Sequence, residues 1–236
     1  MVINMIFYKY EGTGNDFIIT EDKCDKDILK LCDRHYGIGA DGLIIIDNIE
    51  SIIKMKIYNS DGSEANTCGN GLRCVGAYLK DRYNKINCKI QTISDVYDVE
   101  YIDDEYRVFF PLVKSIKRKD NYYIVNSGNH HIITINNSNF EQFINEIREK
   151  YDCNIENVVI HSRNYIEIKV YERGVGFTLA CGSGAIACVS ALYQNNLVDN
   201  NVVCKMDGGD IKVCFSNNHI YLQGKANLVY RGYIND

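Results

Sequence analysis

The chain is predicted to be α+β, built as two pseudo-symmetric halves, each a mainly antiparallel sheet wrapped around a central buried helix. Three observations predict it. First, the sequence repeats itself at about half its length. Lys56-Ile57-Tyr58 returns as Lys169-Val170-Tyr171, and Cys68-Gly69-Asn70-Gly71 as Cys181-Gly182-Ser183-Gly184. Gly14-Asn15 with Ile18-Ile19-Thr20 returns as Gly128-Asn129 with Ile132-Ile133-Thr134. One repeat at half length means two similar halves, not a solenoid. Second, strand-like segments outnumber helical ones. Third, each half holds one helix that follows a Cys-Gly turn, and the later one is apolar all round (Ala185, Ile186, Ala187, Val189, Ala191, Leu192), as a buried helix is.

The elements follow in the same order in both halves. Strands are expected at Phe7–Tyr10 and Asp16–Ile19, and again at Ile124–Val125 and Ile132–Ile135. Helices follow at Lys26–Tyr36, where Ile28, Leu31 and Cys32 have helical spacing, and at Asn139–Tyr151. Next come strands at Leu43–Ile46 and Lys54–Asn59, matched by Asn157–Ile160 and Tyr165–Tyr171. The Cys-Gly turns then lead helices at Gly71–Tyr83 and Gly184–Asn195. Alternating segments at Tyr97–Ile102, Tyr106–Phe110, Asp210–Phe215 and Ile220–Gln223 read as antiparallel strands. The boundary is expected in the charged, turn-rich stretch Val113–Asn121, giving halves 1–115 and 116–236.

Composition excludes several classes. The 236 residues are 46% hydrophobic and 24% charged, which is globular rather than disordered. A net charge of -5 gives no sign of a nucleic-acid surface, and no such partner is expected. The uncharged stretch Gly174–Val198 is long enough to span a bilayer, but Gly174, Gly176, Gly182 and Gly184 interrupt it, so no membrane partner is expected. The opening residues carry no basic region followed by an apolar one, so ten Cys point to a reduced, cytoplasmic setting rather than a disulfide scaffold. Without a C-x-x-C pair no metal is expected. Cys24, Cys32, Cys88, Cys153, Cys204 and Cys214 are then ordinary small residues.

The two Cys-Gly-x-Gly turns carry the chemistry. The free N–H groups of a helix's first turn attract a carboxylate, and Gly lets a ligand approach the backbone. The same positive end is expected to lower a thiol pKa. One such turn alone reads more readily as a helix start with a buried Cys. Two related ones suggest stereoinversion: one thiolate removes a proton from a carbon α to a carboxylate, and the second thiol protonates the opposite face. No cofactor is needed.

Longer segments surround these turns: Gly12-Thr13-Gly14-Asn15-Asp16-Phe17, Cys32 to Gly42, Asn59 to Ala65 running into Cys68 to Cys74, Gly128-Asn129 with His131, Glu172-Arg173-Gly174, and Ala180 to Ala185. In them the chain resembles the diaminopimelate epimerase family, from residue 9 to about 195. The resemblance implies catalytic roles for Cys68 and Cys181, with His131 and Glu172 supporting them. It implies a carboxylate cradle at Gly69-Asn70 and Gly182-Ser183, and substrate contacts from Asn15 and Asn129. It assigns Asn59, Asn157 and Arg173 to the distal end of the substrate. Taken singly, these residues have plainer readings as turn, strand or surface groups. Asp33-Arg34-His35, catalytic by composition, is expected to be structural near a helix end.

Three positions depart from the family pattern: His130 and Lys225 stand where it has Pro, and Phe177 where it has Glu. The reaction so implied interconverts LL- and meso-diaminopimelate, on the way to lysine and peptidoglycan precursors. A buried Arg173 with no carboxylate to pair would be costly, which favours this two-ended amino acid. A related racemase, such as one for histidine, a thiol redox protein and a non-catalytic binding module stay open. The expected partner is a small amino-acid substrate, and a homodimer stays open.

Overall fold

The computed structural model describes residues 5–22, 27–216 and 218–234; Cys24 and Lys26 lie outside them. Two compact units are formed, Met1–Phe109 with Gly224–Asp236, and Phe110–Gln223. The C-terminal segment, placed by the sequence reading in the second half, thus belongs to the first unit.

In the first unit the elements are β1 (Met5–Gly12), β2 (Asn15–Thr20), α1 (Ile28–Cys32), β3 (Gly42–Asp47), β4 (Ile52–Asn59), β5 (Glu64–Ala65), α2 (Gly69–Tyr83), β6 (Asn87–Gln91), β7 (Val96–Ile102) and β8 (Glu105–Pro111), joined by the last strand, β18 (Asn227–Ile234). The strand order is β18-β1-β2-β3-β4-β6-β7-β8, with the short β5 also on β4. Of these pairs, β2–β3 and β4–β6 are parallel and the others antiparallel. β1 and β2 form a hairpin with Gly12 opposite Asn15, so its loop is Thr13-Gly14. Both loop residues have positive φ, 59° and 76°, as a two-residue turn of right-twisted strands requires.

The second unit repeats this plan. Its elements are β9 (Ser115–Arg118), β10 (Tyr122–Asn126), β11 (His130–Ile135), α3 (Phe140–Arg148), β12 (Asn154–Ser162), β13 (Tyr165–Glu172), β14 (Gly176–Thr178), α4 (Gly182–Gln194), β15 (Asn201–Met206), β16 (Gly209–Ser216) and β17 (His219–Gly224). The order is β9-β10-β11-β12-β13-β15-β16-β17, with β14 also on β13. The parallel pairs, β11–β12 and β13–β15, fall at the equivalent positions. β9 flanks β10 as β18 flanks β1. The fold is therefore α+β with a mainly antiparallel sheet in each unit, as the sequence predicts.

The long helices sit inside the sheets. Every residue from Asn70 to Leu79 of α2 is buried, and every residue from Gly184 to Leu192 of α4. Around α4 pack Val125, Ile133, Val158, Ile168, Val213 and Leu222, so the sheet buries an apolar cylinder rather than one stripe. Residue Asn84 ends α2 in the left-handed conformation, its N–H capping the carbonyls of Leu79 and Lys80.

The expected helix at Lys26–Tyr36 is confined to Ile28–Cys32. Asp33 ends it: its Oδ1 accepts the N–H groups of His35 and Tyr36, both at 2.7 Å, and replaces the helical pattern by a side-chain-closed turn. The uncharged stretch Gly174–Val198 contains β14 and the thirteen-residue α4. No helix among the described residues is long and apolar enough to cross a membrane.

Candidate active site

Each Cys-Gly turn is built from one device. Cys68 and Cys181 are the N-cap residues of α2 and α4, both in extended backbone conformation. Their sulfurs accept the N–H of Gly71 and of Gly184, each at 3.4 Å. The sulfur occupies the place that a Ser or Asp oxygen takes in an ordinary cap. It is thereby held at the positive end of its helix. Gly69-Asn70 and Gly182-Ser183 form the first turns, where backbone N–H groups are available to an anion.

Around Cys68 the hairpin β1–β2 supplies the contacts. The thiol lies 3.8 Å from Asn15 Oδ1, which also accepts from Asn70 Nδ2 at 3.3 Å. The other side of the Asn15 amide donates to Asp41 Oδ2 at 2.8 Å. Arg34 grips Asp16 with two hydrogen bonds of 2.9 Å and Asp41 with one of 2.7 Å. Burial pushes the Asp16 carboxyl up, but the bonds from Arg34 and Lys9 outweigh it and hold it well below the usual carboxylate range. Arg34 is thus a structural clamp behind Asn15. Asn59 stands at the exposed end of β4, and its amide donates to Ser63 Oγ at 3.0 Å within the turn that follows.

Around Cys181 the setting is drier. The thiol is buried, 3.4 Å from Ser183 Oγ. Its ionisation runs against the sequence-based expectation. Burial raises the Cys181 pKa well above the ordinary value, and the nearby Glu172 and Glu156 raise it further. The bonds from Ser183 and Gly184 oppose this without overcoming it. A helix N-terminus acts through partial charges, whereas desolvation and two carboxyl groups act on the whole thiolate charge. Burial also raises the Glu172 carboxyl, against the bond of 2.6 Å from Thr178 Oγ1.

His131 is brought to this unit's centre with a partner the sequence reading missed. Glu156 Oε1 lies 2.6 Å from His131 Nδ1, and neither side chain is exposed. The signal in the sequence was slight: Glu156 sits between Ile155 and Asn157, ahead of the apolar Val158-Val159-Ile160 of β12. Gly184 makes room for it, because a Cβ there would stand 2.7 Å from Glu156 Oε1. Asn129 lies exposed in the turn before β11. That turn is tied to α4 by Ser127 Oγ, which donates to the Ser183 carbonyl at 3.1 Å.

Asn157 and Arg173 are not brought together. Successive strand residues face opposite ways, so Asn157 lies on the face of β12 opposite to Asn154 and Glu156. Its amide is spent on the Asn137 backbone, accepting and donating at 3.0 Å. Asn154 instead accepts the Arg173 N–H, at 2.9 Å. Contrary to the expectation from the sequence, the Arg173 side chain is not buried. It is 58% exposed and already pairs with Asp152 at 3.0 Å. Phe177 is half-exposed, edge-on to Tyr171 at 5.3 Å. Among the described residues no group of three or more His, Cys, Asp or Glu could hold a metal ion.

Solved structures share this architecture over nearly the whole chain. A PhzF-family phenazine biosynthesis protein from Bacillus anthracis has a TM-score of 0.78 at 12% identity, covering 98% of this chain and 99% of that one. A hydroxyproline epimerase from Agrobacterium vitis has a TM-score of 0.72 at 8% identity, covering 98% and 92%. At such identities only the fold is shared, and it is the fold of the epimerases related to PhzF and proline racemase. Sequence comparison is more specific. The family model described as diaminopimelate epimerase matches residues 7–111 and 123–229. Proteins named diaminopimelate epimerase match at 34% identity in Halothermothrix orenii (98% of both chains) and 36% in Flavobacterium psychrophilum (96% of this chain, 98% of that one). The chain belongs to the diaminopimelate epimerase family, and it is an isomerase.

Proposed function

We infer that the chain interconverts LL- and meso-diaminopimelate, a step toward lysine and peptidoglycan precursors, with Cys68 and Cys181 as its acid and base. The observation that carries this is the identical capping of α2 and α4 by a thiol that accepts the N–H three residues on. One thiolate takes the α-proton and becomes a thiol. The carbanion so formed takes a proton on its opposite face from the other thiol, which is left as thiolate. The first turns of the two helices stabilise charge building on the α-carboxylate. Asn15 and Asn70 orient the substrate beside Cys68. Ser183 and Glu172 act beside Cys181, and His131 fixes their surroundings through Glu156. Arg173 serves the distal carboxylate by exchanging Asp152 for it, with Asn59 and Asn129 as further polar contacts.

A one-ended amino acid is the second reading. It is favoured by the Asp152 pair, which leaves Arg173 satisfied without a distal carboxylate, and by the apolar Phe177 in place of Glu. The test is incubation with LL-diaminopimelate under reductant in heavy water. Product should gain deuterium at its α-carbon while early recovered substrate stays mostly unlabelled. Formation of no meso isomer, with racemisation of histidine instead, selects the second reading. Near-normal epimerisation by Cys68→Ala or Cys181→Ala would sink the two-thiol mechanism.

A further inference from the structure

Arg73, on the second turn of α2, is the largest of the fully buried side chains, and nothing in the mechanism above uses it. Its guanidinium donates from Nη2 to Thr13 Oγ1 at 2.8 Å and from Nε to the Lys225 carbonyl at 3.4 Å. Nη1 has no hydrogen-bond partner although it is shielded from solvent. Both partners are neutral oxygens. Glu11, an acid on the neighbouring strand, is engaged elsewhere: it accepts from Gly14 N at 3.1 Å and from Asn227 Nδ2 at 2.6 Å. A buried guanidinium without a carboxylate is an unusual and costly arrangement. An arginine does not shed its proton, so the charge stays.

The hairpin loop is shaped to hold that charge. A Cβ on Gly12 would come within 3.2 Å of Arg73 Nη2 and 3.4 Å of Cys74 Sγ. Thr13 takes a positive φ of 59°, a conformation that β-branched residues avoid and that Asn or Gly would fill more easily. Its hydroxyl is what reaches Arg73. Two residues further on, Asn15 Oδ1 lies beside the Cys68 sulfur. The same loop therefore fixes the guanidinium and touches the thiol.

We propose that Arg73 is a positioning residue for Cys68: a buried cation with no carboxylate bonded to it, whose field favours the Cys68 thiolate and which the Thr13 hydroxyl holds in place. The inference rests on the acid–base role given to Cys68 above. The charged and titratable groups that sense Arg73 are Cys68 and Cys74 on α2, Glu11 on β1 and Glu105 on β8, and all four favour its charged form against the desolvation of burial. Of these, Cys74 is fully buried and its thiol is pushed far up by desolvation, whereas Cys68 is only partly buried.

The experiment follows alkylation of Cys68 by iodoacetamide in the full chain, by peptide mass spectrometry across neutral to alkaline pH, with Cys181 as internal reference. An opposite charge nearby shifts a thiol by about one pKa unit or more, so Arg73→Met should slow Cys68 alkylation at neutral pH roughly tenfold and move its midpoint up. Arg73→Lys should restore much of the rate. Thr13→Gly, which relieves the turn and loses the hydroxyl, should slow it several-fold while folding as the parent does. An unchanged Cys68 profile in folded Arg73→Met overturns the proposal. If that variant does not fold, an unchanged profile in Thr13→Gly overturns it. Alkylation needs no substrate, so a preparation that ignores diaminopimelate counts against the proposed reaction and not against Arg73.

Discussion

Glu156 Oε1 stands 2.6 Å from His131 Nδ1, with both side chains out of solvent. Their strands are parallel neighbours, and His131 pairs in register with Asn154. That places Glu156 two residues further along β12 on the same face. The Glu156 carboxyl occupies the space left by the missing side chain of Gly184, one turn into the helix that Cys181 caps. It ties the floor of the candidate site to the strand pair beneath it.

Truncating one member of this pair leaves the other buried and unpaired. Glu156→Ala should therefore cost about 1–3 kcal/mol of folding stability. Urea denaturation measures it. A midpoint equal to the parent's would show that the pair contributes nothing net.

Gly184→Ala tests the close approach. The added Cβ meets Glu156 Oε1 at 2.7 Å and Cys181 Sγ at 3.4 Å, so the carboxyl or the helix start must move. Overpacking of this kind costs about 1–3 kcal/mol. Turnover should fall more than tenfold, since a displacement of about 1 Å at reacting groups has that order of effect. A variant with full turnover and an unshifted melting curve contradicts this.

Cys181 is held protonated by burial first, then by Glu172 and Glu156. A negative neighbour disfavours thiolate, so neutralising it lowers the thiol pKa. Glu172→Gln should accordingly alkylate faster at Cys181 than the parent at the same neutral pH, by several-fold, with Cys68 unchanged. Slower alkylation would mean that Glu172 acts as the thiol's base in the free protein.

Arg173 separates stability from recognition. Its exposed pair with Asp152 is worth about 0–1 kcal/mol, so Arg173→Ala should melt within a few degrees of the parent. Loss of a charge-assisted contact to the distal carboxylate should cost turnover of diaminopimelate roughly one to two orders of magnitude. Asn157→Ala should do the reverse, loosening the Asn137 turn with little effect on turnover, because both polar atoms of its amide already bond that backbone. Equal loss of turnover in both variants would put Asn157 back at the substrate.

The amino-acid sequence by itself determined the doubled plan, the buried helices and the two Cys caps. Those features are local: an apolar run, a Cys-Gly-x-Gly turn or an alternating strand carries its own signal, and a repeat doubles it. The strands it left out are β5, β6, β9, β14, β15 and β18. Of these, β18 depends on β1 for its existence, pairing Asn227 with Glu11 across nearly the whole chain, and nothing within residues 227–234 names that partner. Tertiary structure likewise decided which groups face one another. Glu156 reaches His131 through a parallel strand pair, and Asn154 rather than Asn157 meets the Arg173 backbone because the β12–β13 register sets Asn157 opposite Lys169, four residues away. Desolvation settled the ionisation of Cys181, and it depends on everything packed around the sulfur rather than on the four residues of its turn. Arg73 stands in the same position: in the sequence it is one more basic residue on a helix, and only burial against Thr13 and Gly12 makes it a fixed charge.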